Sequence, residues 1–236
     1  MSILHEERNY KMQNQPTAKA VVFDFNGTLF FDYQENRDAW DEISFKYRGR
    51  HFEEAEYNTL MGRTDPVCVR MMLGDLPYER LVEIANEKEE IYLQMCLDRH
   101  LKLEDCAVRF IQRLQERSIK TLIASSAPKI NMDWYYNHLG LKDLFTLQDI
   151  IAGREDLPSK PNPDIFQYAL RVAQTEPSEA ICFEDAPNGL RAAIAASFKK
   201  VYCIQSPGFD DTVQRTLAPM LTWPYALEHF EEIITL

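Results

Sequence analysis

The chain has 236 residues, of which 45% are apolar and 11% are aromatic, and this composition is sufficient for a sizeable buried core. Its 26 Lys and Arg residues against 37 Asp and Glu residues give a formal net charge of −11, so its overall field repels nucleic-acid backbones and anionic lipid surfaces. No apolar run approaches the roughly 18 residues of a membrane span, and the first residues lack the apolar stretch of a secretory signal. We therefore expect a globular cytoplasmic protein that binds neither nucleic acid nor membranes.

The spacing of cysteines, histidines and glycines excludes several kinds of site. The five cysteines are scattered and form no CxxC pair, which argues against disulfides or structural zinc and predicts reduced, packed thiols. The histidines show no metal-binding spacing, and the glycines form neither GxGxxG nor a Walker loop. The sequence therefore lacks the patterns of a transition-metal centre and of a nucleotide-binding loop.

The first part of the chain changes from a strand pattern to a helix pattern. Residues 1–17 are polar and are expected to form a flexible leader. The apolar run at residues 20–25 ends in Asn-Gly, which predicts a strand and a turn. From about residue 34 to residue 100, apolar side chains such as Trp40, Ile43 and Tyr47 recur at helical steps, which predicts an all-α segment.

From residue 105 onward, helix and strand patterns alternate. Helices are predicted at residues 105–117, 131–139, 163–174 and 187–196, and strands at residues 119–125, near 150, 180–184 and 200–205. Apolar strands between such helices predict a parallel sheet that is covered on both faces. The predicted fold class is α/β: a Rossmann-like sheet of residues 18–31 and 103–236, with residues 32–102 inserted as an all-α cap.

Polar side chains lie where the predicted strands end. Asp24 ends the first strand, Ser125 and Ser126 end the second, and Glu184 and Asp185 end the strand of residues 180–184. Because ligands of open parallel sheets bind at the carboxyl ends of the strands, we expect these side chains to converge. Carboxylates that are held together need a hard divalent cation, and oxygen ligands of this kind suit Mg²⁺.

A lysine completes this set. Lys160 lies in a Pro-bounded loop, where the sequence offers it no obvious structural partner, so we expect it to act on a phosphate and not on the fold. With a cation and the Ser125 hydroxyl it would neutralise a phosphoryl group that is being transferred. Asp24 would attack in line and form an aspartyl phosphate.

Each of these features also has a purely structural interpretation. Asn-Gly between apolar runs is typical of a hairpin turn, and Asp185 ahead of Pro187 could cap a helix. The Pro-rich segment around Lys160 could be an ordinary turn, and Ser125 could cap a strand end. All four features would have to coincide at one sheet edge, which favours a functional site.

Four motifs resemble, in order, those of the haloacid dehalogenase-like hydrolases. They are DFNGT at residues 24–28, LIAS at 122–125, SKPNPDIF at 159–166 and FEDAPNGL at 183–190. The branch most similar to this chain contains β-phosphoglucomutase and sugar-phosphate phosphatases with a helical cap after the first motif. The resemblance implies Mg²⁺ as cofactor and a small phosphorylated metabolite as the substrate.

The resemblance also implies roles for individual residues. The catalytic set would be Asp24 as nucleophile, Asn26 at the acid/base position, Ser125 as phosphate donor and Lys160 as charge clamp. The metal ligands would be Asp24, Asp185, the backbone carbonyl of Asn26, and Glu184 directly or through water. The substrate-binding residues would be Ser126, Asn188 and Arg63, the last of which either binds a distal phosphate or is a solvated surface residue.

Several positions depart from the family pattern. Asn26 stands where the family has an Asp that protonates the leaving group and then activates water, and an amide cannot shuttle that proton. Asn36 stands where the mutases commonly carry a histidine. Phe31 replaces an acidic residue, although Asp32 is adjacent, and Trp40 matches a cap tryptophan whose expected role is packing.

We therefore expect a Mg²⁺-dependent phosphohydrolase that acts through an aspartyl phosphate on a sugar phosphate or similar metabolite, with its acid/base step impaired by Asn26. A phosphosugar mutase is the first alternative, but a mutase must move protons to and from sugar hydroxyls repeatedly. A phosphometabolite-binding protein with little turnover is the second. The expected oligomeric state is a monomer or a weak dimer.

Overall fold

A six-stranded parallel sheet forms the centre of the molecule in the computed structural model, which describes residues 18–154, 156–205, 217 and 222–225. The strands lie in the order β3-β2-β1-β4-β5-β6. Their bounds are Ala20–Phe23 (β1), Lys120–Pro128 (β2), Ile150–Gly153 (β3), Ala180–Glu184 (β4), Lys200–Ile204 (β5) and Thr222–Tyr225 (β6). The predicted flexible leader lies outside the described residues.

The carboxyl end of the central strand β1 lies level with the neighbouring parts of β2 and β4. Phe23, its last residue, lies beside Ile123 of β2 and Phe183 of β4 in parallel register. Because the three strands run in the same direction, their carboxyl ends open onto the same edge of the sheet. The hairpin interpretation of the Asn-Gly segment is wrong, since β1 pairs with two distant strands and not with the segment that follows it.

Eight α-helices accompany the described strands. Four lie between β1 and β2: Tyr33–Arg48 (α1), Glu54–Leu60 (α2), Asp65–Leu73 (α3) and Tyr78–Asp98 (α4). Four more alternate with the later strands: Asp105–Glu116 (α5), Lys129–His138 (α6), Asp164–Ala173 (α7) and Pro187–Ala195 (α8). The predicted elements are all present, with bounds that differ by a few residues.

Alternating side chains of β1 face two apolar cores, as the period of a strand requires. Val21 and Phe23 join a cluster with Phe110 of α5. Val22 joins a second cluster with Phe166 of α7. Helices therefore cover both faces of the sheet, which confirms the predicted fold class.

The four helices between β1 and β2 form a helical insert with its own apolar core. Trp40 and Ile43 of α1 pack there with Val69 of α3 and Ile84 of α4, which confirms the packing role expected of the tryptophan. The boundaries predicted at residues 32 and 102 stay a prediction. Every described helix is too short or too polar to cross a lipid bilayer.

Sequence reasoning missed β6. The strand contains Pro224, and a proline inside an apolar run argues against a strand because it cannot donate a backbone hydrogen bond. β6 lies at the end of the described sheet beside β5, where one side of the strand needs no partner. Four of the five cysteines, all of which lie within the described residues, are buried free thiols, as expected of packing residues.

Candidate active site

The loop after β1 places the first carboxylate. The Asp24 amide donates a hydrogen bond to the Phe183 carbonyl at 2.9 Å, which holds the end of β1 against β4. Gly27 then adopts a φ of +78°, and a Cβ at this position would come within 2.1 Å of Asp185 Oδ2. Only glycine fits this combination of a left-handed backbone and close contact.

Lys160 joins two carboxylates at this edge. Its Nζ donates to Asp24 Oδ1 at 2.6 Å and to Glu184 Oε1 at 2.8 Å, and the lysine side chain is fully buried. Burial alone would lower the pKa of Lys160, but the charges of Asp24 and Glu184 raise it above its ordinary value. The expectation that Lys160 has no structural partner is wrong, because the partners are distant in sequence and converge only in the folded sheet.

Replacing Lys160 by Met is expected to lower the free energy of unfolding by about 3–5 kcal/mol, because Asp24 and Glu184 would remain buried without a compensating cation. The measurement is denaturant unfolding in the presence of a chelator. Lys129→Met is the matched control, since the Lys129 side chain is 78% exposed, and its effect should stay within about 0.5 kcal/mol. Equal losses in the free energy of unfolding of the two variants would show that Lys160 does not compensate the buried charges of Asp24 and Glu184.

Three carboxylates form a cluster beside this lysine. Asp24, Glu184 and Asp185 each offer an oxygen, and these atoms lie within 4.8 Å of one another. Burial raises the pKa of Asp24 and raises that of Glu184 to about 7, although Lys160 lowers both. Burial and then the charges of its two neighbours raise the pKa of Asp185 well above its usual range. One lysine does not balance three carboxylates, so the donor set fits a hard divalent cation.

The oxygens of Glu184 are already engaged. Oε1 accepts from Lys160, and Oε2 accepts from the Ala186 amide at 2.7 Å. Gly189 makes room for this carboxylate, since a Cβ there would lie 1.6 Å from Glu184 Oε1. Asp185 Oδ1 accepts from the Thr28 hydroxyl at 3.3 Å. Each carboxylate of the cluster is therefore held by contacts within the protein, and in Glu184 these contacts engage both oxygens.

The Asn26 side chain faces a second acidic group. Its Nδ2 donates to Asp32 Oδ2 at 2.8 Å and lies 3.1 Å and 3.2 Å from the hydroxyls of Tyr92 and Tyr135. The Tyr92 hydroxyl also donates to Asp32 Oδ2 at 2.6 Å. Burial raises the pKa of Asp32 to about 6, although the hydrogen bonds from Tyr92 and Asn26 lower it. Sequence reasoning noted Asp32 only as a neighbour of Phe31, and nothing in the local pattern marks the two tyrosines.

Ser125 and Ser126 lie near the end of β2 and both line the cavity at the sheet edge. The buried Ser125 hydroxyl oxygen accepts a hydrogen bond from the Ala127 amide at 3.1 Å. Ser126 donates its hydroxyl to the Gly62 carbonyl at 2.7 Å. Ser125 thus lines the same cavity as Asp24 and Asp185, and its role as a phosphate donor stays a prediction, whereas Ser126 contacts the helical insert.

The other two predicted substrate residues also bind backbone. Asn188 donates to the Met61 carbonyl at 2.7 Å and is absent from the described lining of the cavity. Arg63 donates to the carbonyls of Thr59 at 3.0 Å and Lys160 at 3.5 Å and does line the cavity. These contacts hold residues 59–63 against the sheet edge. The roles of Asn188 and Arg63 in substrate binding stay predictions.

The cavity itself extends from the sheet edge into the helical insert and has a volume of about 90 Å³. At one end it is lined by Asp24, Ser125 and Asp185. At the other end it is lined by buried charged groups from the insert, among them Lys88 and Glu89. Sequence reasoning missed this second group, because helix periodicity marks these positions only as members of α4.

Comparisons with known proteins agree with this arrangement. A sequence profile described as haloacid dehalogenase-like hydrolase matches residues 18–197. The validoxylamine A 7'-phosphate phosphatase of Streptomyces hygroscopicus subsp. limoneus is 25% identical over 187 residues, which are 79% of this chain and 84% of that protein.

Two solved structures are similar in fold. A HAD hydrolase of family IA from Entamoeba histolytica is 27% identical, with a TM-score of 0.77 over 92% of this chain and 100% of that one. A mutant of CbbY from Rhodobacter sphaeroides in complex with xylulose-(1,5)bisphosphate is 28% identical, with a TM-score of 0.64 over 82% of this chain and 88% of that one. Because the profile covers well over half of the sequence, the chain belongs to the haloacid dehalogenase-like hydrolases.

Proposed function

We propose that the protein is a Mg²⁺-dependent phosphatase that transfers the phosphoryl group of a small phosphorylated metabolite, in particular a sugar phosphate, to Asp24 and then to water. The observation that carries the proposal is the buried contact of Lys160 with Asp24 and Glu184 beside Asp185. A carboxylate and a lysine ammonium group at the edge of a cavity support the proposal, because phosphoryl transfer needs a nucleophile and positive charge at the same point.

The proposed Mg²⁺ site uses Asp24, Asp185 and the backbone carbonyl of Asn26. Glu184 is assigned an indirect role, because Lys160 and the Ala186 amide already bind its two oxygens. When bound, the ion would supply positive charge that offsets the buried carboxylates and the phosphate oxygens. The excess of buried negative charge in the cluster supports this assignment.

The chain's own residues account for the attack on phosphorus but not for the two proton transfers. An Asp24 oxygen attacks phosphorus, and the bond from phosphorus to the substrate oxygen breaks while Lys160 and Ser125 stabilise the phosphoryl oxygens. The departing alkoxide needs a proton, and the water that later attacks the aspartyl phosphate must lose one. The Asn26 amide can do neither, so solvent water would have to supply the first proton and accept the second, and both steps are proposed to be slow.

Three further considerations support a sugar phosphate as the substrate. Two relatives are associated with phosphorylated carbohydrate-like compounds: one is a validoxylamine A 7'-phosphate phosphatase, and a CbbY mutant was solved in complex with xylulose-(1,5)bisphosphate. The cavity is lined by many polar groups. The net charge of −11 disfavours large polyanionic substrates. The cytoplasmic location and the monomeric or weakly dimeric state stay predictions.

A phosphometabolite-binding protein is the second candidate, and one observation favours it. The Asn26 amide is held on Asp32, so the position that should carry a mobile proton is instead part of a fixed hydrogen-bond network. A mutase is less well supported, because both Asn26 and Asn36 would have to replace proton-transferring residues. Steady-state phosphate release separates a phosphatase from a binding protein.

The test of the proposed function is phosphate release from a panel of phosphorylated metabolites that includes acetyl phosphate, with binding followed in parallel by calorimetry. We expect slow release from the chain itself and faster release from the Asn26→Asp variant. Tight binding without release from either protein would contradict the phosphatase proposal and favour the binding protein.

Removal of Asp185 is expected to abolish stabilisation by Mg²⁺. Saturating Mg²⁺ at about 100 times its dissociation constant should stabilise the unaltered chain by about 2.7 kcal/mol, and Asp185→Ala should lose this gain. Thermal unfolding with Mg²⁺ and with a chelator measures the difference. Asp98→Ala is the control, since Asp98 is exposed on α4. An undiminished Mg²⁺ effect in Asp185→Ala would show that the ion binds elsewhere.

A further inference from the structure

One lateral border of the sheet, formed by β3, is open among the described residues. β3 ends the order of the described strands and pairs with β2 on one side, so backbone N–H and C=O groups on its other side point away from the sheet. A cleft of about 620 Å³ extends along this outer side, and its walls include Met132 and Asp133 of α6 and Tyr168 and Val172 of α7. The helices that cover the two faces of the sheet therefore leave β3 accessible to another strand. We call this side of the sheet the β3 border.

The two lateral borders of the sheet differ in sequence. β6, at the opposite border, contains Pro224, which has no backbone N–H to donate to a further strand. β3 has the sequence Ile-Ile-Ala-Gly and so carries neither a proline nor a charged side chain, the residues that commonly prevent pairing at an open strand. The sequence of β3 therefore permits the addition of a strand, which is a recurring way for proteins to bind a partner.

Exposed apolar side chains are concentrated near the β3 border. Ile130 is 63% exposed and Leu147 is 62% exposed, and these are the largest exposed fractions among the large apolar side chains that the structure describes. Leu147 lines the cleft, and Ile130 lies on α6 beside Lys129, which also lines it. Single exposed apolar side chains are normal on a monomer, but these two lie beside the same open strand. Their position indicates a contact surface for another protein chain.

The spacing of strands and helices is suitable for a second copy of the chain. If β3 pairs antiparallel with β3 of the copy about a two-fold axis, the sheet continues through both copies. α6 contacts both β2 and β3, so the two α6 helices would lie two strand spacings apart, about 10 Å. Packed helices usually lie about 8–10 Å apart. The two α6 helices would therefore pack against each other on one face of the continuous sheet.

The charges around the cleft are balanced, unlike those of the whole chain. Lys129 Nζ donates to Asp133 Oδ1 at 2.7 Å, and Arg154 Nη2 donates to Asp156 Oδ2 at 2.7 Å. The chain as a whole has a net charge of −11, so two copies repel each other over most of their surfaces. At the β3 border each copy presents both signs, and a two-fold contact can place the cations of one copy beside the carboxylates of the other. This complementarity favours a second copy over a partner of strong net charge.

We propose that two copies of the chain associate through β3 and form one continuous sheet across a two-fold axis, with Ile130 and Leu147 covered at the contact. The proposal does not depend on the phosphatase activity, because the cleft and the cavity at the sheet edge share no lining residue among the described ones. A strand of four residues makes a small interface, so the expected dissociation constant is on the order of 10 μM.

The first test is sedimentation equilibrium of the full chain at protein concentrations from about 1 to about 200 μM, which span the expected dissociation constant. The buffer contains about 0.15 M salt, which screens the net charge of the two copies beyond about 8 Å. We expect the average mass to rise from that of one chain toward that of two chains. The mass of one chain at every concentration, or growth beyond two chains, would overturn the proposal.

The second test places a charge at the β3 border. Leu147→Lys and Ile150→Lys are each expected to weaken the dimer at least about tenfold, because each removes an apolar contact from both copies and charges the open strand. Leu97→Lys is the matched control, since Leu97 is 46% exposed on α4, and its dimer should be as stable as that of the unaltered chain. Leu147 is the more exposed of the two test positions, so Leu147→Lys decides if Ile150→Lys does not fold. Equal dissociation constants for Leu147→Lys and Leu97→Lys would contradict the proposal.

Hydrogen exchange of the unaltered chain locates the contact without any substitution. Amide exchange is compared at the lowest and the highest of these protein concentrations by mass spectrometry of peptides. We expect exchange in residues 147–154 to slow by about threefold or more in the dimer, because the outward amides of β3 acquire hydrogen-bond partners. Exchange in residues 90–98 of α4 should stay the same. A dimer in which residues 147–154 gain no protection would place the interface elsewhere and overturn the proposal.

Discussion

Replacing Asp24 by Asn is expected to reduce phosphate release by at least about 10⁴-fold, because an amide cannot form the covalent intermediate. The substitution keeps the shape of a side chain that is almost completely buried, and Lys160 retains Glu184 as its partner. The fold should therefore survive, and vanadate should still bind. Initial rates with acetyl phosphate and binding by calorimetry measure the two effects.

The control for this substitution is Asp98→Asn, which removes a carboxylate from the exposed face of α4 and should leave the rate unchanged. A rate in Asp24→Asn within tenfold of the unaltered chain would contradict the assignment of the nucleophile. Glu184 and Asp185 would then be the carboxylates to examine.

Replacing Asn26 by Asp is expected to raise the turnover of alkyl phosphates by about 10²- to 10⁴-fold, the usual contribution of general acid/base catalysis. The new carboxyl would face Asp32, which now accepts from the Asn26 amide at 2.8 Å. Two carboxyls in contact favour a state in which one is protonated, and this keeps an acid available to the leaving group. Initial rates with ribitol phosphate measure the gain.

Two comparisons make the Asn26 result specific. Acetyl phosphate has a good leaving group, so its first step should gain less than that of an alkyl phosphate. Asn26→Ala removes the amide without adding a proton donor and should give no gain. Unchanged rates for Asn26→Asp on every substrate would mean that another group moves the proton or that the protein does not turn over phosphates.

Much of the sheet edge could be predicted because it depends on local pattern and on one rule of topology. Apolar runs marked β1 and β4, and parallel pairing brings Asp24, Glu184 and Asp185 together at their carboxyl ends. The pairing of Lys160 could not be predicted, since its loop has no periodicity and its partners lie 136 and 24 residues away.

The buried charged groups of the helical insert could not be predicted from the sequence for a similar reason. Lys88 and Glu89 are adjacent on α4, and the helix pattern describes such residues only as a solvated face. Their burial depends on how α4 packs against α1, α3 and α6, where Trp40, Asp65 and Asn131 meet them. Contacts between helices that are far apart in sequence leave no local signal.

The covalent state of Asp24 during turnover tests the central claim most directly. The chain is mixed with acetyl phosphate and Mg²⁺, quenched in acid at successive times and digested, and the peptide that contains Asp24 is analysed by mass spectrometry. We expect one phosphoryl group on Asp24, which accumulates because Asn26 cannot activate water, decays faster in Asn26→Asp and is absent in Asp24→Asn. Release of phosphate while Asp24 stays unmodified at every time, or the same label in Asp24→Asn, would contradict it.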